Sequence, residues 1–246
     1  MTELSKILRR QIEATGPITL ADYMSACLLH PKHGYYTTQD ALGVDGDFTT
    51  APEISQMFGE LIGLCVAQSW MDQGAPDRFA LVELGPGRGT LIADILRSTV
   101  QVTGFHAAVD LHLVEASARM RSLQAAALPA YHPTWHDTVE TLPEDIPIFV
   151  MANEFFDALP IRQFQRDPKG WREIMVGLSE TGVLQRGLSD AAPIEALNSR
   201  LDDTPPGALV ETCAHGTAVV DALARRIATQ GGMALFIDYG GWHSDG

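Results

Sequence analysis

The sequence predicts an α/β fold in which a parallel sheet carries helices on both faces. Short apolar runs recur at Phe79-Ala-Leu-Val-Glu-Leu, Leu111-His-Leu-Val-Glu115, Pro147-Ile-Phe-Val-Met-Ala and Met233-Ala-Leu-Phe-Ile-Asp238. Helical spacing lies between them, in Leu91, Ile92, Ile95 and Leu96, over residues 117–127, and in Val219, Val220, Leu223 and Ile227. A glycine cluster, Gly85-Pro-Gly-Arg-Gly, follows the first run directly. Strands alternating with helices bury their strands between two helical layers.

The remaining elements follow in chain order. Leu4, Ile7, Leu8 and Ile12 recur at helical spacing, so residues 3–14 read as an amphipathic helix that Gly16-Pro17 breaks. Thr19 with Asp22 forms a capping-box pattern opening a second helix, which Pro31 ends. Residues 34–50 read as a loop or irregular hairpin. Thr50 and Glu53 repeat the capping-box pattern, and the helix after them presents Ile54, Met57, Phe58, Leu61 and Cys65 on one side. Residues 161–188 interrupt the rhythm with alternating apolar and polar positions around Asp167-Pro-Lys-Gly and Glu180-Thr-Gly, the pattern of an inserted antiparallel meander. The expected organisation is an N-terminal helical cap with a covering loop over 1–76, and a core over 77–246 that carries the meander.

Composition narrows the function. Hydrophobic residues make up 46% and charged residues 20%, which suits a globular chain rather than a disordered one. Asp and Glu number 31 against 17 Lys and Arg, a net charge of −14. Such a surface repels phosphate backbones, so nucleic-acid binding is not expected, whereas a basic partner would suit it. Cys27, Cys65 and Cys213 form no C-x-x-C pair and point to a reducing compartment. The start lacks the order of a signal peptide, and no apolar run reaches the length of a membrane span. The expectation is a soluble, cytoplasmic protein without membrane insertion. A homodimer is compatible with the sequence.

The strongest chemical signal is Glu83-Leu-Gly85-Pro86-Gly87-Arg-Gly89. Glycines after a buried strand let the backbone turn sharply, and the next helix presents free N–H groups to a carboxylate or phosphate. A dinucleotide fingerprint would need glycine where Thr90 stands and an acid about 20 residues further on. The E-x-G-x-G-x-G spacing instead suits S-adenosylmethionine (SAM), with Glu115 at the end of the second strand accepting the ribose hydroxyls. Glu115 as a solvated strand end stays open. Trp135-His136-Asp137 could face an adenine, although His136 itself reads as a surface imidazole. Asn153, Glu154 and Asp157 follow the strand ending at Ala152, beside the point where strand order would reverse, and so would face the reactive end of the cofactor. Helix capping by Asn153 or Asp157 is the plainer alternative. His30 and His33 are too few for a metal site, and no nucleophile elbow is present.

The segments Gly46-Asp-Phe-Thr-Thr-Ala-Pro-Glu-Ile-Ser-Gln56, Val82 to Leu91, Leu113-Val-Glu-Ala-Ser117 and Ala152-Asn-Glu-Phe-Phe-Asp-Ala-Leu-Pro160 resemble the MidA-like SAM-dependent methyltransferases. Gly34-Tyr-Tyr36 and Ile237-Asp-Tyr-Gly240 agree with them. Mitochondrial members of that family assist respiratory complex I assembly. The resemblance implies a Rossmann-like methyltransferase sheet, with the N-terminal helices and the 46–56 loop closing over SAM. It implies that Gly85, Gly87 and Gly89 contact the cofactor, Glu115 its ribose and Asp137 its adenine, with Asp47 and Thr49 close by. Glu83, Pro86 and Asn153 belong to the same matching motifs. The family usually continues past Asp-Tyr-Gly, so its last two strands would be missing here.

The implied acceptor is an arginine of a complex I subunit. Glu154 first, and Asp157 second, would then be the catalytic carboxylates, drawing charge onto one guanidinium nitrogen. A small-molecule methyltransferase and a non-catalytic SAM-binding assembly chaperone are the alternatives.

Overall fold

The computed structural model describes residues 2–35 and 50–240, which form two compact units. Asp47 and Thr49, with most of the 34–50 loop, lie outside the described residues.

Among the described residues, one unit is built from 2–35 together with 159–216 and Gly240. Helix α1 (Glu3–Thr15) is capped by the Thr2 hydroxyl, which accepts from the Ser5 N–H at 3.2 Å. Strand β1 (Ile18–Thr19) leads into α2 (Leu20–Leu29), and the Thr19–Asp22 capping box forms in full. The antiparallel strands β6 (Arg162–Asp167), β7 (Gly170–Leu178) and β8 (Leu184–Leu188) occur where alternation placed them. Two further strands join that sheet: β1 pairs with β7, and β9 (Leu209–Thr212) pairs with β6. Both are too short to show an alternating pattern, so their pairing is a product of tertiary packing. Leu8, Ile12, Ile18 and Val176 form its core beneath α1.

The second unit holds the parallel sheet, in the order β10-β5-β2-β3-β4. Its strands are β2 (Phe79–Leu84), β3 (Val109–Val114), β4 (Thr134–His136), β5 (Ile148–Asn153) and β10 (Gly232–Ile237). All neighbours are parallel. β2 is buried along its whole length, which is why it reads as a continuous apolar run. Its alternate residues serve two cores. Phe79 and Leu81, with Leu113, Phe149 and Met151, pack against α4 (Gln56–Asp72) and α5 (Thr90–Ser98), and the short α3 (Ala51–Ile54) leads into α4. Ala80, Val82 and Leu84, with Val150 and Ala152, face Val219, Ala222 and Leu223 of α8 (Ala214–Gln230). Two smaller helices, α6 (Phe105–Ala108) and α7 (Ala118–Ala127), flank β3.

The expected buried face of the 54–65 segment is corrected. Ile54, Met57, Leu61 and Cys65 are exposed, and the buried side carries Gly59, Ile62, Gly63, Val66, Ala67 and Trp70. The reason is the close crossing of α4 over α5. A Cβ at Gly59 would lie 2.5 Å from Asp94 Cβ, and one at Gly63 would lie 2.9 Å from Ile95 Cα. Glycine at both positions lets the two backbones touch. The chain also breaks at Ser55, which is extended, so one expected helix is two.

Gly63→Ala forces a methyl against the α5 backbone and should cost about 1–3 kcal/mol. Calorimetry should show the melting temperature of the variant lower by several degrees.

Candidate functional site

β2 and β5 are adjacent, and the connections from them run to opposite sides of the sheet, so the strand order reverses between them. Ligands of open α/β sheets bind outside the carboxyl ends of such a pair.

The glycine loop leaves β2 there. Gly85, Gly87 and Gly89 have φ of 59°, 55° and 86°, left-handed values that a side chain strains. The Gly85 N–H donates to the Val114 carbonyl at 3.0 Å, which ties the loop to β3, and the Gly89 N–H donates to the Pro86 carbonyl at 2.8 Å. A Cβ on Gly85 would lie 2.9 Å from the Phe155 ring. Gly89 then caps α5 without a side chain of its own, and of the first-turn N–H groups the Ile92 one is taken by Glu83.

Alternation places Glu83 on the Leu81 face and Asn153 on the Met151 face, which is the same side of the sheet. Glu83 is 3% exposed. It accepts from the Ile92 backbone N–H, and burial pushes its carboxyl up to about 8. Its Oε2 and the Oδ1 of Asn153 are buried with no hydrogen-bond partner among the described residues. An unpartnered carboxyl oxygen and an unpartnered amide oxygen beside a glycine loop suit a cationic ligand group such as an ammonium, which on binding would favour the ionised form of Glu83 and donate to both.

Glu115 stands just past β3. Its Oε1 accepts from the Ser117 N–H at 2.8 Å and its Oε2 from Gln124 Nε2 at 3.2 Å. Burial raises its carboxyl above the usual range, against the pull of those bonds. It is therefore a held, half-buried acid rather than a solvated strand end. Asp137 is different: its side chain is 82% exposed and paired with Arg121 at 2.6 Å. The same Arg121 donates to the Glu115 carbonyl at 2.7 Å, so Asp137 and Glu115 are linked through one guanidinium. His136 is buried, which corrects the surface reading. Its ring nitrogens lie 2.9 Å from His112 Nδ1 and 2.7 Å from Thr141 Oγ1, and burial holds both imidazoles below their usual range.

Glu154 and Asp157 follow β5. Glu154 has φ of 49°, one of two non-glycine residues with a positive value among the described residues. Such a conformation costs about 1–3 kcal/mol and persists where surroundings enforce it. Here the Glu154 N–H donates to the Ile237 carbonyl at 2.8 Å, which locks the turn to β10. The Asp157 N–H donates to Asp238 Oδ2 at 3.2 Å. The Asp157 carboxylate accepts from the Tyr239 hydroxyl and holds that phenol above its usual range. Phe155 and Phe156 meet edge to face at 5.3 Å, and Phe156 meets Phe236 at 4.9 Å, forming an apolar bank under the acids.

Several participants escaped the sequence reading. Glu53 does not close a capping box with Thr50; its Oε1 accepts from the Thr90 hydroxyl at 2.6 Å, pinning α3 to the start of α5. Asp238 and Tyr239 lay in a recognised segment but had no role, because only tertiary contact brings them to Asp157. Gln124 carried no signal at all in its helix.

The comparisons with known proteins bear on this arrangement. Residues 61–246 match the family described as "Putative S-adenosyl-L-methionine-dependent methyltransferase". The chain belongs to this family. Among curated relatives, the Danio rerio protein arginine methyltransferase NDUFAF7, mitochondrial, is 40% identical over 96% of this chain and 61% of its own length. The Homo sapiens protein of the same name is 39% identical over 98% of this chain and 60% of its own. This chain thus spans about three-fifths of the relatives it matches. A crystal structure from Burkholderia thailandensis with S-adenosyl-homocysteine bound superposes with a TM-score of 0.77, at 30% identity, over 96% of this chain and 62% of that one. The methyltransferase family uses SAM, and the glycine loop, the unpartnered acceptors and the held Glu115 fit that cofactor.

The raised Glu83 carboxyl makes a pH prediction. The folded state keeps a proton on Glu83 between the ordinary value of 4.5 and about 8, whereas the unfolded state releases it. Stability should therefore fall as pH rises through that window, by on the order of a few kcal/mol. Glu83→Gln should shrink the slope and melt higher than the parent at pH 8 while binding SAM less tightly. Equal slopes in the two proteins would mean that Glu83 is already ionised at neutral pH.

Proposed function

We propose that this chain carries the cofactor-binding and catalytic part of a SAM-dependent methyltransferase whose acceptor is a protein arginine. The observation that supports it best is the acidic turn after β5. Glu154 is held in a left-handed conformation beside Asp157, at the carboxyl end of a strand adjacent to the glycine loop. Two carboxylates on that edge suit a cation. The relatives' printed name, protein arginine methyltransferase, agrees with an arginine acceptor. The resemblance of the 46–56 and 152–160 segments extends this reading to a respiratory complex I subunit.

When bound, SAM supplies an electrophilic methyl on a sulfonium. The glycine loop would hold its amino-acid end, with Glu83 and Asn153 accepting hydrogen bonds from it, and Glu115 would take the ribose hydroxyls. Glu154 would accept two hydrogen bonds from the guanidinium and draw positive charge toward the bound nitrogens. That leaves electron density on the nitrogen facing the methyl, in line with the breaking carbon–sulfur bond. The guanidinium nitrogen would take the methyl as the sulfonium leaves as a neutral thioether with the bonding pair, and Glu154 or Asp157 would receive the nitrogen's proton and pass it to water. Asp157, braced by Tyr239 and the Asp238 contact, would fix the second side of the guanidinium. Phe155 and Phe156 would keep bulk water from that face.

Glu154→Gln keeps the size and loses the charge. It should lower methyl transfer to an arginine-containing peptide by about 100-fold or more while S-adenosylhomocysteine still binds within about threefold of the parent. Mass spectrometry of methylarginine and calorimetric titration read the two quantities. Loss of both together would mark Glu154 as structural. Binding without transfer to any arginine acceptor, in the parent itself, would favour the assembly-chaperone reading.

A further inference from the structure

We propose that Gln124 is a positioning residue of the cofactor pocket: one carboxamide sets the distance between the glycine loop and the ribose-binding carboxylate of Glu115. This inference rests on the cofactor reading above.

Gln124 lies on α7 and is 0% exposed. A buried amide is costly unless its polar atoms are bonded, and methionine of the same length would fill the space without that requirement. What the carboxamide adds is a set of bonds to three separate parts of the site. Its Nε2 donates to the Gly87 carbonyl at 2.9 Å and to Glu115 Oε2 at 3.2 Å. Its Oε1 accepts from Trp135 Nε1 at 2.8 Å.

These partners fix the orientation of the group. An indole N–H can only donate, whereas a backbone carbonyl and a carboxylate can only accept. A flipped amide would set its NH2 against the indole and its oxygen against two acceptors. Both N–H groups are used, so no donor is left over. Glutamate lacks the donors, asparagine is one methylene short, and leucine or methionine leaves three polar groups without their partner.

The geometry explains why this bridge matters at the pocket. Gly87 has φ of 55°, and its carbonyl turns toward α7 rather than into a regular ladder. α7 comes close enough that a Cβ on Gly89 would lie 3.5 Å from Gln124 Cα and from Ala127 Cβ. Glu115 has two local tethers, the N–H groups of Ser117 and Ala116 in its own turn. Gln124 supplies the tether from another element and holds the second oxygen, Oε2, toward the glycine loop. Each carboxylate oxygen then keeps a lone pair for a ribose hydroxyl. Trp135, on β4, braces the carboxamide from the far side.

The test compares S-adenosylhomocysteine with its 2′-deoxy analogue by calorimetric titration of the parent chain, Gln124→Met and Trp135→Phe. The parent should prefer the ribose form by about tenfold or more, the effect of one hydrogen bond to a charged acceptor. Gln124→Met should weaken both ligands, but the ribose form much more, so that the ratio falls toward one. Trp135→Phe keeps an aromatic ring and removes the brace, and its ratio should fall part-way. A ratio unchanged in every variant that folds would overturn the proposal, because a purely structural residue weakens both ligands alike. If Gln124→Met does not fold, Trp135→Phe decides on the same criterion. A parent that binds both ligands equally overturns the ribose role of Glu115 and with it this inference, while leaving the pocket intact. A parent that binds neither overturns the cofactor reading itself, and the inference falls with it.

Discussion

The left-handed turn that carries the chain from β2 into α5 is the constraint on which the site depends. Three glycines with positive φ reverse the backbone within five residues. That tight reversal requires β2 to be buried on both faces, α5 to start beside the sheet, and Phe155 to pack where a Cβ would otherwise sit. It also turns the Gly87 carbonyl toward α7. Neighbouring elements then serve the loop. α4 approaches α5 through Gly59 and Gly63, Glu53 reaches Thr90 at the helix start, and α7 offers Gln124 from the other side.

Buried polar groups divide into two kinds around this turn. Some are fully bonded: Gln124 with its three partners, His136 between His112 and Thr141, and Thr99 donating to the Ile95 carbonyl at 2.8 Å. Such groups specify one arrangement because any other leaves a donor or acceptor bare. Glu83 and Asn153 are only partly bonded, and each keeps an acceptor atom with no partner among the described residues. Folding alone would not favour that. The same holds for the strained backbone at Glu154. Glu83, Asn153 and Glu154 stand together at the carboxyl ends of β2 and β5, beside the glycine loop.

Much of this was legible in the chain. Continuous apolar runs marked β2 and β5 because both strands are buried on two sides, and the Thr19–Asp22 cap formed as its spacing implied. The glycine motif and the acid ending β3 stood out in the sequence because those features are local. What was not legible depended on distant partners. The buried face of α4 was misread because Gly59 and Gly63 have no hydrophobic side chain, although they make its closest contact. His136 looked superficial because nothing nearby in sequence announces its bond to His112. β1 and β9 are strands only because β7 and β6 pair with them. Gln124, Asp238 and Tyr239 reach the site by packing rather than by any spacing rule.

The central claim is that the glycine turn forms the cofactor pocket, and one titration tests it most directly. The parent chain and Gly87→Val would each be titrated with SAM, after circular dichroism shows both folded. Gly87 has φ of 55°, so valine there distorts the loop without touching β2. The account predicts saturable one-to-one binding by the parent and none by the variant. Equal binding by both would place the cofactor away from the glycine turn and contradict the account.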